Sequence, residues 1–174
     1  GCQVNRKTLF VTATVTLLGA FIVGTLVYQS QRADSAQALS RQVHLARDYA
    51  PTAGPAEAKV HIVEFLDPAC ETCRSFYPFV KRMIAANPGK IRVSVRYAPF
   101  HEGSSGAVRV LEAAKMQGRF WEALDLLYRT QNVWTQHHQV FLDRIWQLLP
   151  QAGLDLRRLE MDMADPRITA VIEQ

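Results

Sequence analysis

Residues 60–73 read VHIVEFLDPACETC, and this stretch decides the fold. Val60 to Leu66 is rich in β-branched and aromatic residues and reads as a strand, apolar enough on both faces to be expected buried in a covered sheet. Cys70 and Cys73 follow directly, and Phe76, Phe79, Val80, Met83 and Ile84 then recur at helical spacing until Asn87-Pro88-Gly89 stops the helix. Ile91 to Tyr97 alternates apolar and polar residues and reads as the next strand. A strand, helix and strand joined by a right-handed crossover place the two strands parallel, so the expected fold class is α/β.

Cys70 and Cys73 stand where a strand ends and a helix begins. Unpaired N–H groups and the positive end of the helix dipole stabilise a thiolate at Cys70, which makes it the expected nucleophile. Cys73, one turn on, suits the resolving role in thiol–disulfide exchange. Three other readings compete. A zinc half-site needs a second pair of ligands at fixed spacing, which the sequence lacks; a structural disulfide would close a very small loop; and the spacing could be coincidence. Glu64 is a carboxylate inside an apolar strand, six residues before Cys70; burial there lets it exchange a proton with a thiol, whereas an edge position would leave it facing solvent. Glu71, between the cysteines, opposes the helix dipole at Cys70.

Downstream the chain reads as helical. Val108, Leu111, Ala114 and Lys115 mark one helix, Phe120, Trp121, Leu124, Leu127 and Tyr128 a second, and Phe141, Ile145, Trp146, Leu148 and Leu149 a third. Leu154 to Ala164 is expected as a fourth, and Asp165-Pro166 opens a fifth. The spacing of Trp121, Trp134 and Trp146 fits core packing rather than a ligand platform. His44, His61, His101, His137 and His138 form no metal-ligand pattern, so no metal is expected, and no phosphate-binding glycine loop or other cofactor motif is present; Gly103 to Gly106 reads as a turn.

Upstream, Leu9 to Tyr28 reads LFVTATVTLLGAFIVGTLVY, twenty residues without a charge, which as a helix span about 30 Å. Arg6 and Lys7 precede it and place the N-terminus in the cytoplasm by the positive-inside rule. A retained anchor fits better than a cleaved signal peptide, whose apolar core is shorter. Cys2 precedes the apolar run, so it is no lipoprotein cysteine and reads as an ordinary thiol. Thr12, Thr16, Ala20 and Gly24 form a strip of small residues that either meets another helix or simply faces lipid. The expected organisation is a cytoplasmic N-terminus at 1–8, a span at 9–28, a stalk and linker at 29–56 and a soluble domain at 57–174. The net charge is +4, with Arg6 and Lys7 supplying half of it, so the rest of the chain is nearly neutral and nucleic acid is not an expected partner.

VEFLDPACETC resembles the active-site segment of the thioredoxin superfamily, and the DsbA-like branch fits best. Glu64 matches that family's buried acidic residue, and the helices from Gly106 to Ala164 match its helical insertion, with GRFWEALDLLY (118–128) similar to a segment of it. The resemblance implies a membrane-anchored thiol–disulfide oxidoreductase acting on thiols or disulfides of exported proteins, with Cys70, Cys73 and Glu64 as site residues, no cofactor, and the soluble domain in the periplasm of a bacterium's inner membrane. The family also places a cis-proline and a β-hairpin opposite the cysteines. No Thr-Pro or Val-Pro follows Cys73, and that hairpin is expected to be absent from these residues, leaving the Val60–Leu66 strand with an open edge. A second reading is an accessory or assembly subunit of a larger membrane complex, contacted through Thr12, Thr16, Ala20 and Gly24.

Overall fold

The structure, a computed structural model, describes residues 6–42 and 45–173. Cys2, His44 and the start of the expected cytoplasmic segment 1–8 lie outside the described residues. The chain divides into two compact units, Gly1–Leu45 and Ala46–Gln174.

The first unit is one helix, α1 (Arg6–Gln42), which runs unbroken through the expected span and into the expected stalk. Val11–Arg32 is long and apolar enough to cross a membrane, and residues 11–32 are exposed throughout. The hydroxyls of Thr12, Thr16, Thr25 and Ser30 each donate to a carbonyl three or four residues back. Such bonds satisfy a hydroxyl where no water is at hand.

The second unit is built on a three-stranded sheet of β1 (Thr52–Ala53), β2 (Val60–Leu66) and β3 (Ile91–Tyr97), in the order β1-β3-β2. The expected βα unit forms: β2 and β3 are parallel, with Val60 opposite Ile91 and Leu66 opposite Tyr97, and α2 (Glu71–Ala86) connects them. Two expectations need correction. Residues 49–56, read as linker, instead supply β1, antiparallel to β3 with Thr52 opposite Ser94. Ala50 is buried, the Thr52 hydroxyl bonds that of Ser94 at 2.9 Å, and Gly54 turns the chain out of the strand with φ +93°. The proline and glycine there shape a turn into the sheet rather than a spacer. β2 pairs only with β3 among the described residues, which leaves the open edge expected of it, but its faces, expected to be covered, are not: Val60 and Phe65 are each 49% exposed.

Helices follow as α3 (Ser104–Met116), α4 (Phe120–Arg129), the single turn α5 (Gln131–Trp134), α6 (Leu142–Leu148), α7 (Leu156–Met163) and α8 (Pro166–Ile172). Leu66, Val95, Leu111, Leu124, Leu127 and Trp134 lie in the core, with Trp121 and Trp146 partly buried against it, as their spacing predicts. Trp134 donates its indole N–H to the Leu127 carbonyl at 3.0 Å, which satisfies the one polar atom of a fully buried ring. On α2, by contrast, only Tyr77 is buried; Phe76 and Phe79, which helped to define the apolar spacing, are 60% and 56% exposed. Between α5 and α6 the chain forms a small hairpin, β4 (Thr135–Gln136) and β5 (Gln139–Val140), turned by His137 and His138 in the left-handed region at φ 50° and 63°. Positive φ at both turn residues is the geometry of a tight hairpin, here taken up without glycine or asparagine.

A Cβ at residue 54 would sit 2.3 Å from the Ile91 carbonyl oxygen, in a backbone conformation that already disfavours side chains. Gly54→Ala is expected to cost about 2 kcal/mol or more, read as a lowered midpoint in chemical denaturation. An unchanged midpoint would mean that residues 49–56 are only a linker.

Candidate functional site

Asp67 closes β2, and everything around the two cysteines is tied to it. Its side chain is 3% exposed and accepts five hydrogen bonds. Oδ1 takes the Ala69 N–H at 2.8 Å and the Ser104 hydroxyl; Oδ2 takes the N–H of Phe100 at 2.8 Å, the N–H of His101 at 3.0 Å and the His101 Nδ1–H at 2.7 Å. Burial alone would push this carboxyl up, but the bonds from Ser104, His101 and the backbone outweigh it and hold it below its ordinary value. The residues expected to form a plain turn therefore do more. Gly103 adopts φ 78°, which brings buried Ser104 onto Asp67 at the start of α3, and Gly106 lies inside that helix.

The turn from β2 into α2 is held from its other side by Gln131 on α5. Its fully buried amide donates from Nε2 to the carbonyls of Pro68 at 2.8 Å and Cys70 at 3.1 Å. The loop that bonds Asp67 reaches the same region: Val140 N–H donates to the Glu102 carbonyl at 3.0 Å, and the His101 and His138 rings stack at 5.5 Å. The cysteine turn is thus bracketed by the loop after β3, the small hairpin and α5.

Within that bracket Cys70 is the N-cap of α2, with φ −78° and ψ 120°, and its Sγ accepts the Cys73 N–H at 3.4 Å. This is the expected placement of a sulfur on an unpaired helix N–H. Both cysteines are free thiols of intermediate burial, and Cys73 packs against the core. Burial raises the Cys73 thiol to about 11, against a backbone hydrogen bond at Asp67 that favours the thiolate. At neutral pH the Cys73 thiol is therefore held protonated. Glu64 is half-buried, and burial raises its carboxyl above the ordinary value, as its strand position predicts. Glu64 and Cys73 line one open cavity of about 320 Å³ with Phe65, Phe76 and Val80, without a direct hydrogen bond between them. Glu71 is exposed in the first turn of α2. The described residues hold no cluster of potential metal ligands.

Sequence reasoning brought Glu64, Cys70 and Cys73 to one place but missed Asp67 and Gln131. For Asp67 a signal existed: aspartate two residues before a backbone N–H, with proline between, is the pattern of a side-chain-capped turn. Gln131 gave none, because its partners lie more than sixty residues away in sequence.

Residues 47–174 match the protein family described as thioredoxin. Among solved structures the chain is similar to a thioredoxin-like oxidoreductase from Silicibacter pomeroyi DSS-3, at 29% identity and a TM-score of 0.64, over 74% of this chain and 71% of that one. Its fold is also that of α-DsbA1 from Wolbachia pipientis, at 16% identity and a TM-score of 0.65, over 77% and 69%. Among curated proteins, the whole chain is 27% identical to part of the Na(+)/H(+) antiporter NhaA of Herminiimonas arsenicoxydans, and 70% of it is 31% identical to part of NhaA 3 of Salinispora tropica. The chain spans 27% and 18% of the lengths of those two proteins.

Asp67→Asn is expected to lower stability at pH 7 by about 1–3 kcal/mol in chemical denaturation. The folded carboxyl titrates below its ordinary 3.8, so the contribution is complete above that value and drains away as pH falls through the lower, folded one. The gap between native and variant proteins should therefore narrow below about pH 4. A gap that stays constant with pH would mean that the charge of Asp67 plays no part.

Proposed function

The chain belongs to the thioredoxin family, its fold is DsbA-like, and on that premise we propose that it is a membrane-anchored thiol–disulfide oxidoreductase whose redox pair is Cys70 and Cys73. The observation that carries the reading is Cys70 at the N-cap of α2 with its sulfur on the Cys73 N–H. In this mechanism the Cys70 thiolate attacks one sulfur of a partner disulfide, the S–S bond breaks, and the displaced sulfur leaves as a thiolate that takes up a proton. Cys73 then gives its proton to Glu64, directly or through one water, and attacks Cys70. The 70–73 disulfide closes, and the partner leaves with both sulfurs reduced. Run backwards, the same steps oxidise a partner dithiol. Glu64 serves as proton carrier because its raised carboxyl and the raised Cys73 thiol share one cavity. The exposed Phe65 and Phe76 at that cavity offer an apolar surface to an unfolded exported chain.

α1 is the proposed anchor, with the N-terminus cytoplasmic and the thioredoxin-like unit outside. The back-bonded hydroxyls of Thr12, Thr16 and Thr25 suit a helix in lipid. The likeness to parts of two antiporters supports a second reading, in which the domain accompanies a membrane protein and meets it through Thr12, Thr16, Ala20 and Gly24.

The test is exchange with an unfolded secretory protein that keeps its disulfides, using the full chain and its variants in their reduced forms. Cys73→Ser should accumulate mixed disulfides on Cys70, and Cys70→Ser should form none. Glu64→Gln should slow resolution about a hundredfold. It should also fold at least as stably at pH 7. A carboxyl raised on folding stabilises below its unfolded value, and that contribution is lost as pH rises through the folded one. Equal resolution rates for native and Glu64→Gln proteins would remove Glu64 from the mechanism, and no mixed disulfide on any variant would remove the enzymatic reading.

A further inference from the structure

Beside the cysteine turn, α2 and α4 enclose an open cleft of about 490 Å³ whose charge the exchange chemistry does not use. Four cations line it: Arg74, the residue after Cys73, then Lys81, Arg82 and Arg129. Asp125 is the single carboxylate among the lining residues, and it is already engaged, accepting two bonds from Lys81 at 2.8 and 2.9 Å. The side chains of Arg74, Arg82 and Arg129 make no hydrogen bond or ion pair among the described residues. Three uncompensated guanidinium groups around one concavity repel one another and create a field that an anion relieves.

The cleft is also lined by aromatic rings. Tyr77 and Tyr128 line it with ring centroids 5.1 Å apart. The Tyr128 hydroxyl is buried without a hydrogen-bond partner. Burial pushes that hydroxyl well above the ordinary tyrosine range, so it stays protonated and able to donate. Arg74 and Arg82 are eight residues apart on one helix, about 12 Å along its axis. About four residues of extended chain cover that distance. Carboxylates spaced along an extended peptide match that separation.

We infer that the cleft between α2 and α4 binds an acidic stretch of the substrate polypeptide, held by Arg74, Arg82 and Arg129 next to the cysteine pair. The assignment of that peptide as substrate rests on the exchange reading above. Guanidinium groups suit carboxylates because their planar donors can meet both oxygens. The arrangement makes the protein favour substrate cysteines flanked by glutamate or aspartate, mainly by speeding encounter and lengthening residence at the redox pair.

The experiment uses the full chain in neutral detergent. With Cys70→Ser/Cys73→Ser, anisotropy measures the binding of a cysteine-free fluorescent peptide rich in glutamate and of the same peptide with glutamine. The acidic peptide should bind at least about tenfold more tightly at low ionic strength, and the preference should shrink at high ionic strength. Arg82→Gln/Arg129→Gln, which alters exposed side chains away from the cysteines, should bring the two peptides close to parity, while Arg82→Lys/Arg129→Lys keeps part of the preference. In a second arm, the native chain should exchange faster with a glutamate-flanked disulfide peptide than with a glutamine-flanked one. Equal binding of the two peptides, or a preference that survives Arg82→Gln/Arg129→Gln, overturns the inference. So does Arg82- and Arg129-dependent binding to anionic phospholipid vesicles without peptide selectivity, which would assign the cations to a lipid surface. Acidic-peptide binding with no exchange towards either peptide upholds the cleft and defeats the exchange reading instead.

Discussion

The Asp67 carboxylate, taken almost wholly out of water and surrounded by five donors, is the contact on which the site depends. A buried charge is costly unless every lone pair is met, and here the donors come from two separate parts of the chain: the cysteine turn itself and the loop that carries β3 into α3. That requirement joins the end of β2 to the start of the helical insertion. Gln131 completes the bracket from α5 by holding the carbonyls of Pro68 and Cys70. The result is a turn with little freedom, and the position of the Cys70 sulfur over the first turn of α2 follows from it. Pre-organisation of this kind is what a reactive thiol needs, since the stabilising N–H must already be in place when the thiolate forms.

The two cysteines then differ through their surroundings rather than through their own chemistry. Cys70 ends on a backbone donor, while Cys73 packs against the core, where burial raises its thiol to about 11. Glu64, raised in turn by burial, shares a cavity with Cys73 at the open edge of β2. Phe65, Phe76 and the Glu64 carboxyl thus lie on the Cys73 side of the turn, and the cationic cleft between α2 and α4 lies on the helix beyond it.

Much of this was legible in the sequence, for local reasons. The strand, C-x-x-C turn and helix are encoded within residues 60–86, and the amphipathic helices after residue 104 announce themselves by periodicity. What was illegible is what depends on distant partners. β1 is two residues long and exists only because β3 offers it an edge, so proline and glycine around it read as linker. The exposure of Val60, Phe65, Phe76 and Phe79 was invisible to pattern alone, because periodicity reports a helix or a strand and not whether anything covers its face. The hairpin at His137 and His138 lacks the usual glycine or asparagine, and is held by contacts to Glu102 and Trp134 instead. Glu64 could be placed from its strand; Gln131 could not be placed at all.

The central claim is that Cys70 and Cys73 interconvert between dithiol and disulfide as a working couple. Equilibrating the full chain in glutathione buffers of graded potential, quenching with acid, and weighing the peptide that contains both residues tests it most directly. The account predicts a two-electron transition to an intramolecular 70–73 disulfide, with a midpoint between about −270 and −120 mV, the range of exchange proteins. Two thiols that persist across every buffer, or a disulfide that resists reduction below about −300 mV as structural bonds do, would contradict it.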